Sequence, residues 1–293
     1  MKGKALFIIN PISGGKDKEY VPMLIKQMFS NHEYEIVFTE RADHATEITE
    51  QGMKLGFENF IAIGGDGTVN EVAKSLIGTT HNLGIIPFGS GNGLARHNKI
   101  PMHVKGAFEV IINHHITRID TCELNGLPFI NMSGAGFDAH IGKLFAESKE
   151  KGRGFQKYIS TTIHEFMNYK SQNYTLSHSG KKVNINAFLI SFANSSQYGN
   201  NAFIAPNANM QDGLIDVCIM KPFPPINIVE LGYKLFTRGI ENSRYFETFK
   251  TDSIEVLREQ DGEIHVDGEP VNAEKKLTIK VIPSSLNIIT PNM

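Results

Sequence analysis

The chain has 293 residues, of which 41% are hydrophobic and 20% are charged, a composition typical of folded globular proteins rather than disordered or collagen-like ones. At roughly 100 to 200 residues per domain, this length predicts two domains. The 29 basic residues face 31 acidic ones, for a formal net charge of -2, so no overall positive field exists to hold nucleic acid or an anionic bilayer.

Cysteine usage and hydropathy predict the compartment. Cys122 and Cys218 are the two cysteines, and both lie in apolar strand-like runs, which favours a reducing compartment without disulfides or a zinc ribbon. The apolar run at residues 5–9 is too short for a signal peptide, and no apolar stretch approaches the roughly 18 residues of a membrane span. We therefore expect a cytoplasmic protein with at most peripheral membrane contact.

Short apolar strands alternate with helical patterns through residues 1–115. Strands are predicted at residues 5–9, 35–38, 60–63 and 83–87, and helices at residues 20–29, 42–55 and 69–77. Alternation of this kind predicts a parallel sheet covered by helices. The sequence therefore predicts an α/β domain over residues 1–117.

The pattern changes after residue 117, where two apolar runs flank Asn125-Gly126. Asn-Gly is the strongest short hairpin signal, so we expect antiparallel pairing from here on. A helical interval is predicted over residues 139–169, followed by strands at residues 183–193, 214–220, 253–257, 264–266 and 277–282. Residues 118–293 are therefore predicted to form a mainly β domain that packs closely on the first and leaves a cleft between the two.

Three predicted strands of the first domain end in glycine-rich loops, at residues 10–16 (NPISGGK), 64–68 (GGDGT) and 88–96 (FGSGNGLAR). Glycine lets the backbone turn tightly and approach a ligand, and a following helix N-terminus favours a phosphate. Because the carboxyl ends of parallel strands share one edge of a sheet, we expect the three loops to line a single crevice. Taken alone, the first loop is as typical of an ordinary β-α turn, even with Lys16 available to a phosphate, and it lacks the glycine and Ser/Thr positions of a Walker A motif.

The GGDGT loop contains the residue that is hardest to explain as a simple turn. Thr68 and Glu71 match a capping box, which predicts a helix starting beside the glycines. Asp66 would repel a phosphate unless a divalent cation lies between them, or unless the carboxylate takes a proton from the attacking group. The alternative is that the glycines form a turn and Asp66 caps the helix.

These motifs resemble those of the lipid kinase family that contains diacylglycerol kinases and sphingosine kinases. The matching segments are Asn10-Pro11 with Ser13-Gly14, Gly64 to Thr68 with Asn70-Glu71-Val72, Gly89-Ser90-Gly91-Asn92, Gly134 to Ala139, and Asp267-Gly268-Glu269. Their order extends over nearly the whole chain. The resemblance implies an α/β nucleotide domain related to NAD kinases and phosphofructokinases, followed by a β sandwich that holds the lipid.

By that resemblance, ATP would bind against Asn10, Ser13, Gly14, Thr39, Gly64, Gly65, Gly67, Thr68, Ser90, Gly91 and Asn92. Asp66, Asp267 and Glu269 are the catalytic candidates, since phosphoryl transfer needs charge neutralisation and a group oriented on the acceptor hydroxyl. The preferred assignment makes Asp267 the base, with Glu269 supporting metal or phosphate and Asp66 as the alternative base. Without the upstream loops, residues 266–270 are more typical of a hairpin turn.

The resemblance also implies Mg²⁺ as a cofactor. Its expected ligands are Asp66, Asp120 through water, and Asp212, the last in a loop similar to the family's structural magnesium loop. The alternatives are a solvated strand aspartate for Asp120 and a routine Asp-Gly turn for Asp212. One expected carboxylate is missing, because Gly93 stands where bacterial diacylglycerol kinases usually have aspartate, and the third loop is closer to the sphingosine kinase pattern.

A basic stretch follows the start of the second domain, with interspersed Glu147 and Glu150; it consists of Lys143, Lys149, Lys151, Arg153 and Lys157. Contact with phosphates or lipid headgroups is one interpretation, and a solvated helix face is the preferred one.

The resulting expectation is an ATP-dependent lipid kinase of phospholipid metabolism. It would phosphorylate a hydroxyl of diacylglycerol or a sphingoid base at a membrane surface, without a nucleic acid partner, and a homodimer is left open. Two alternatives remain: an NAD kinase, which shares the GGDG turn and domain layout, and a non-catalytic nucleotide or lipid sensor of the same fold.

Overall fold

A computed structural model describes residues 1–15, 17–140, 165 and 169–292. The chain divides into two compact units. The first comprises Met1–Thr121, Tyr198–Asn201 and Pro283–Met293, and the second comprises Cys122–Gln197 and Ala202–Ile282. Lys16, the basic stretch at residues 143–157 and most of the predicted helical interval lie outside the described residues.

The first unit is built on a parallel sheet with strand order β2-β1-β3-β4. Its strands are β1 (Ala5–Ile9), β2 (Tyr34–Phe38), β3 (Asn59–Gly64) and β4 (Asn82–Pro87). Strands β1, β3 and β4 are buried along their whole length, whereas β2 is half exposed at the edge. Continuous apolar runs are what a parallel sheet covered on both faces requires, and the predicted α/β architecture is confirmed.

In the described part of the first unit, the sheet is accompanied by helices α1 (Val21–Met28), α2 (His44–Lys54), α3 (Asp66–Leu76), α4 (Gly93–His97) and α5 (Val104–Asn113). Phe7 of β1 contacts Phe29 after α1 edge to face, with ring centroids 4.9 Å apart. Phe108 of α5 completes the cluster at 5.6 Å from Phe29. These rings pack α1 and α5 against the first strand.

The second unit is mainly β, as predicted. In the described residues, one antiparallel six-stranded sheet contains, in spatial order, β12 (Phe246–Thr251), β11 (Ile215–Met220), β10 (Leu189–Ala193), β7 (Met132–Gly136), β14 (Gly262–Val266) and β15 (Glu269–Ala273). In a second layer, the start of β16 (Lys276–Thr290) pairs with β13 (Ser253–Arg258), β13 pairs with β8 (Gln172–His178), and β8 pairs with β9 (Lys181–Ala187). Apolar side chains from both layers form one core, including Leu176, Phe192 and Val256. The β sandwich is therefore confirmed.

Three further elements are described, β5 (His115–Leu124), β6 (Leu127–Phe129) and α6 (Ile228–Phe236). The predicted hairpin at Asn125-Gly126 is present between β5 and β6. Asn125 and Gly126 both have positive φ, at 49° and 84°, the conformation of a type I′ turn. Across the part of the chain that the structure describes, no helix is both long and apolar enough to cross a bilayer.

One predicted strand is divided in the structure. Residues 183–193 are predicted as one strand, but the strand is interrupted at Phe188, so that β9 pairs with β8 while β10 joins the other sheet. The Phe188 backbone N–H donates to Met220 and its carbonyl accepts from Phe137. Ala187 and Phe188 are apolar and buried at the interruption, so the hydropathy pattern shows no change there.

Candidate functional site

The site in the first unit lies at the carboxyl edge of the parallel sheet. The chain runs from β1 outward to β2 and then returns to the other side of β1 as β3, so the direction of strand addition reverses between β1 and β3. Ligands of open α/β sheets bind at such a switch point, outside the carboxyl ends of the strands. The first two glycine-rich loops leave β1 and β3 at this position.

The first loop contacts both of the other loops. Asn10 Nδ2 donates to Thr68 Oγ1 across 3.0 Å, which ties the first loop to the second. Gly14 has φ +67°, and a Cβ there would lie 1.8 Å from the carbonyl oxygen of Phe88. Only glycine allows this backbone approach to the third loop.

The second and third loops are in backbone contact through Gly65 and Gly89, where a Cβ on Gly89 would lie 2.7 Å from the Gly65 Cα. The Asp66 carboxylate joins them further, because Oδ2 accepts the Asn92 N–H at 2.8 Å and Oδ1 accepts the Gly93 N–H at 2.9 Å. Asp66 therefore positions the third loop. The predicted convergence of the three loops is confirmed.

The start of α3 lies open beside these loops. The helix begins at Asp66 with Gly65 as its N-cap, and no described side chain caps it. The predicted capping box is wrong, as is the alternative in which Asp66 is the cap. Thr68 lies inside the helix, and the Glu71 Oε2 instead accepts the Ala45 N–H at 3.0 Å at the start of α2. The uncapped first turn leaves a helix N-terminus of the kind that binds phosphates.

Two further features surround the loops, one predicted and one not. Thr39 follows β2, is buried, and donates its backbone N–H to Ile9, so it lies next to the first loop. Sequence reasoning missed Lys18, which is buried with its ammonium donating to the carbonyls of Pro11 and Ser13. Burial lowers the pKa of Lys18, opposed by the charge of Asp17. These two hydrogen bonds from Lys18 stabilise the conformation of the first loop.

The third loop has a neighbour that comes from far along the chain. The carbonyl oxygen of Gly91 accepts both the Arg96 Nε–H at 2.9 Å and the Asn200 N–H at 3.1 Å. Asn200 belongs to the short stretch Tyr198–Asn201 that returns to the first unit. No local pattern in the sequence reveals this contact, because it joins residues with no shared motif.

In the second unit, Asp267 and Gly268 form the tight turn between β14 and β15, with φ values of 51° and 85°. The hairpin interpretation of this segment is therefore correct for its backbone. The Asp267 side chain does more, since Oδ1 accepts the N–H groups of Asn131 and Met132 and Oδ2 accepts that of Ile130, at 2.8 to 3.0 Å. Asp267 thus fixes the chain that leads into β7.

His265 supports the same turn, and sequence reasoning missed it. Its Nδ1 accepts the Gly268 N–H at 3.3 Å, and its Nε2 lies 3.1 Å from Oδ2 of Asp138. Both side chains lie close to Gly134, where a Cβ would be 2.3 Å from the Asp138 carboxylate. The glycine of the GAGFDA segment therefore makes room for this pair, while Glu269 is exposed at the first position of β15.

The predicted metal ligands lie in separate environments. Asp120 is buried and its Oδ1 accepts the Ser284 N–H at 2.7 Å. The Asp212 Oδ2 lies 2.6 Å from the Lys250 ammonium, which is also 3.6 Å from Asp216. Burial raises the pKa of Asp216 to about 6, although the Lys250 charge opposes the shift. Within the described ranges, no three His, Cys, Asp or Glu side chains group as a metal site.

These contacts distinguish the two expected magnesium positions. Asp212 already has a cation partner in Lys250, so its surroundings do not fit a metal loop. Asp66 fits a magnesium ion that arrives with a nucleotide, because Mg²⁺ in such sites needs only one or two carboxylates together with the phosphates. The metal roles of Asp66 and Asp120 stay predictions.

The fold combines an α/β unit, in which three glycine-rich loops converge at one edge of the sheet, with a β sandwich. Residues 4–124 match the diacylglycerol kinase catalytic domain, and residues 131–290 match the YegS C-terminal NAD kinase beta sandwich-like domain. The chain belongs to the lipid kinase family that combines these two domains, a family of transferases.

Several known proteins are similar to the chain over its length. A probable lipid kinase YegS-like of Pseudomonas aeruginosa is 27% identical over 293 residues, covering 99% of this chain and 95% of that protein. A diacylglycerol kinase of Staphylococcus aureus is 27% identical over 277 residues, covering 92% and 87%.

Two solved structures share the fold. A diacylglycerol kinase from Bacillus anthracis has a TM-score of 0.76 at 21% identity, covering 98% of this chain and 97% of that one. An NAD kinase from Archaeoglobus fulgidus in complex with ATP has a TM-score of 0.56 at 13% identity, covering 98% and 93%. The predicted fold class is confirmed by both.

Proposed function

We propose that the protein is an ATP-dependent lipid kinase, which transfers the γ-phosphate of ATP to the hydroxyl of a lipid such as diacylglycerol or a sphingoid base. The proposal rests on one observation above all, the convergence of three glycine-rich loops on the uncapped N-terminus of α3 in a chain of the lipid kinase family. Backbone N–H groups and a positive helix end are the groups that bind nucleotide phosphates.

The residues proposed to bind ATP lie on the three loops and at the end of β2: Asn10, Ser13, Gly14, Thr39, Gly64, Gly65, Gly67, Thr68, Ser90, Gly91 and Asn92. Their contacts support this role. The glycines let the three backbones touch, while the Asn10 to Thr68 hydrogen bond holds the loops without occupying the helix N-terminus. Gly67 and Ser90 are exposed at this edge, where a phosphate can reach them.

The proposed reaction moves one phosphoryl group and one proton. The acceptor oxygen bonds to the γ-phosphorus, the bond to the β,γ-bridging oxygen breaks, and the hydroxyl proton passes to a carboxylate base. Magnesium, when bound, would neutralise phosphate charge, with Asp66 as the residue that would hold it. We assign the base to Asp267, with Glu269 in support and Asp66 as the alternative base.

The test is an assay of the purified chain with γ-labelled ATP against dioleoylglycerol, sphingosine and NAD, each in the same detergent micelles. We expect label in a lipid product, and Asp66→Asn to reduce the rate by about a hundredfold or more because it removes a charge at the phosphates and an acceptor for the third loop. Glu50→Gln, exposed on α2, is the matched control and keeps the wild-type rate.

The remaining outcomes separate the alternatives. Label in NAD and none in either lipid would show an NAD kinase, while ATP binding without turnover would show a sensor. Asp267→Asn, measured at a temperature where the variant is folded, should lower kcat much more than it raises the KM for ATP, since a base acts in the transition state. A change confined to the KM for ATP would transfer the base role to Asp66.

A further inference from the structure

The second unit presents an apolar helix face to solvent. It lies on α6 and on the short 3-10 turn Pro225–Asn227 that precedes it. Four side chains form this face, with exposed fractions of 87%, 78%, 70% and 56% for Ile226, Val229, Tyr233 and Phe236. Their spacing of three, four and three positions places them on one side of the helix. We call these four residues the exposed stripe.

The opposite face of α6 anchors the helix to its unit. Leu231 is buried, and Ile228 and Leu235 are partly buried. The backbone N–H of Phe203 donates to the carbonyl of Leu235 at 2.9 Å. The helix is therefore apolar on both sides, and its packing needs only the inner one. Contiguous apolar surface of this kind marks an interaction site.

The segment that contains the exposed stripe has a net charge opposite in sign to that of the whole chain. Residues 221–245 contain four basic and two acidic side chains, whereas the complete chain has a net charge of -2. Glu230 pairs with Lys234 at 2.7 Å on the helix itself.

A cationic side chain lies near each end of the stripe. Beyond the C-terminus of α6, the Arg238 guanidinium lies 4.2 Å from the Phe203 ring centre. Arg244 donates to the Tyr245 hydroxyl, which in turn donates to Asn227 at the N-terminus of the helix.

We propose that the exposed stripe docks the protein on an anionic lipid bilayer. This inference rests on the proposed function, since a kinase of lipids must reach a substrate held in a membrane. Aliphatic and aromatic side chains of a short amphipathic helix enter the boundary between headgroups and acyl chains, and basic side chains at its borders meet lipid phosphates.

Charge argues for a bilayer over a second copy of the chain. A two-fold interface through the stripe would bring the same surface of both copies together. Arg238 and Arg244 would then face like charges of the other copy, which opposes association. An anionic membrane complements both arginines and buries the four apolar side chains at once.

The test is co-sedimentation with vesicles of phosphatidylcholine alone or mixed with phosphatidylglycerol, in the absence of ATP. The variant is Val229→Ser, Tyr233→Ser and Phe236→Ser combined. Its control is Met23→Ser with Leu55→Ser, two apolar side chains that are 72% and 70% exposed on the first unit. We expect the stripe variant to bind anionic vesicles at least about tenfold more weakly than wild type. The control should bind as wild type does, and neutral vesicles should bind wild type less than anionic ones.

Further measurements make the result decisive. Equal melting temperatures of wild type and stripe variant would show that the variant is folded. Unchanged phosphorylation of a short-chain lipid in detergent by that variant would support docking and not catalysis as its defect. Unaltered vesicle binding by the stripe variant, no vesicle binding by wild type, or a wild-type dimer that the variant dissolves in sedimentation velocity would each overturn the inference. Since vesicle binding needs no turnover, a wild-type chain that binds anionic vesicles yet phosphorylates no lipid would contradict the proposed function alone.

Discussion

Replacing Asp267 by asparagine should lower the free energy of unfolding of the second unit, independently of any effect on catalysis. The carboxylate accepts three backbone N–H groups, two at Oδ1 and one at Oδ2. Asparagine can keep the pair from Asn131 and Met132, but its amide nitrogen would face the Ile130 N–H, donor against donor. One charge-assisted hydrogen bond is worth about 1.5 to 3 kcal/mol, and weakening the other two adds about 1 kcal/mol each, so we expect a loss of about 3.5 to 5 kcal/mol.

Urea denaturation followed by circular dichroism measures this loss directly. The control is Asp261→Asn, near the other end of the same hairpin, because Asp261 accepts a single exposed N–H from Lys275 at 2.8 Å. That control should cost about 1 kcal/mol. A loss for Asp267→Asn no larger than for the control would refute the view that this carboxylate holds the entry to β7.

Three other substitutions test the remaining contacts. Gly14→Ala should weaken both folding and binding of a fluorescent ATP analogue more than Gly15→Ala, since both have positive φ but only a Cβ at Gly14 meets Phe88. Glu71→Ala should lower the free energy of unfolding by about 0.5 to 2 kcal/mol through loss of the α2 cap, whereas Glu50→Ala on the exposed face of α2 should not. The unfolded chain ionises Asp216 near its ordinary pKa of 3.8 and the folded chain only near about 6, so this group makes stability decline as pH rises through that window. Asp216→Asn should remove that decline in melting temperatures measured from pH 4 to 7; an unchanged pH profile would contradict the assignment.

The convergence of the loops could be predicted because it depends on topology alone. Because parallel strands have their carboxyl ends at one edge of the sheet, the loops after β1, β3 and β4 must share that edge. The contacts that hold the loops could not be predicted in the same way. The Glu71 side chain matched a local capping motif, yet its partner is Ala45 in another helix, and such a pairing is decided by how α2 and α3 pack.

In the second unit too, the contacts of the catalytic candidates could not be predicted from the sequence. The sequence indicated both a hairpin and an acidic motif at residues 266–270, and the structure contains the hairpin with Asp267 at its turn. What Asp267 binds lies more than a hundred positions away at Ile130 to Met132. His265 and Asp138 likewise meet only after the sheet has formed through β7 and β14, so neither residue type nor spacing pointed to them.

The last residues of strand β16 belong to the first unit. Its residues Asn287 and Ile288 pair in parallel with β4, and the Thr290 hydroxyl lies 2.6 Å from that of Thr117. A nascent chain of residues 1–121 therefore lacks β16, the strand that pairs with the β4 edge of the parallel sheet. The sheet of the first unit is completed by residues that follow the β sandwich in sequence, so a nascent chain stalled within the β sandwich carries a first unit with an unpaired strand edge.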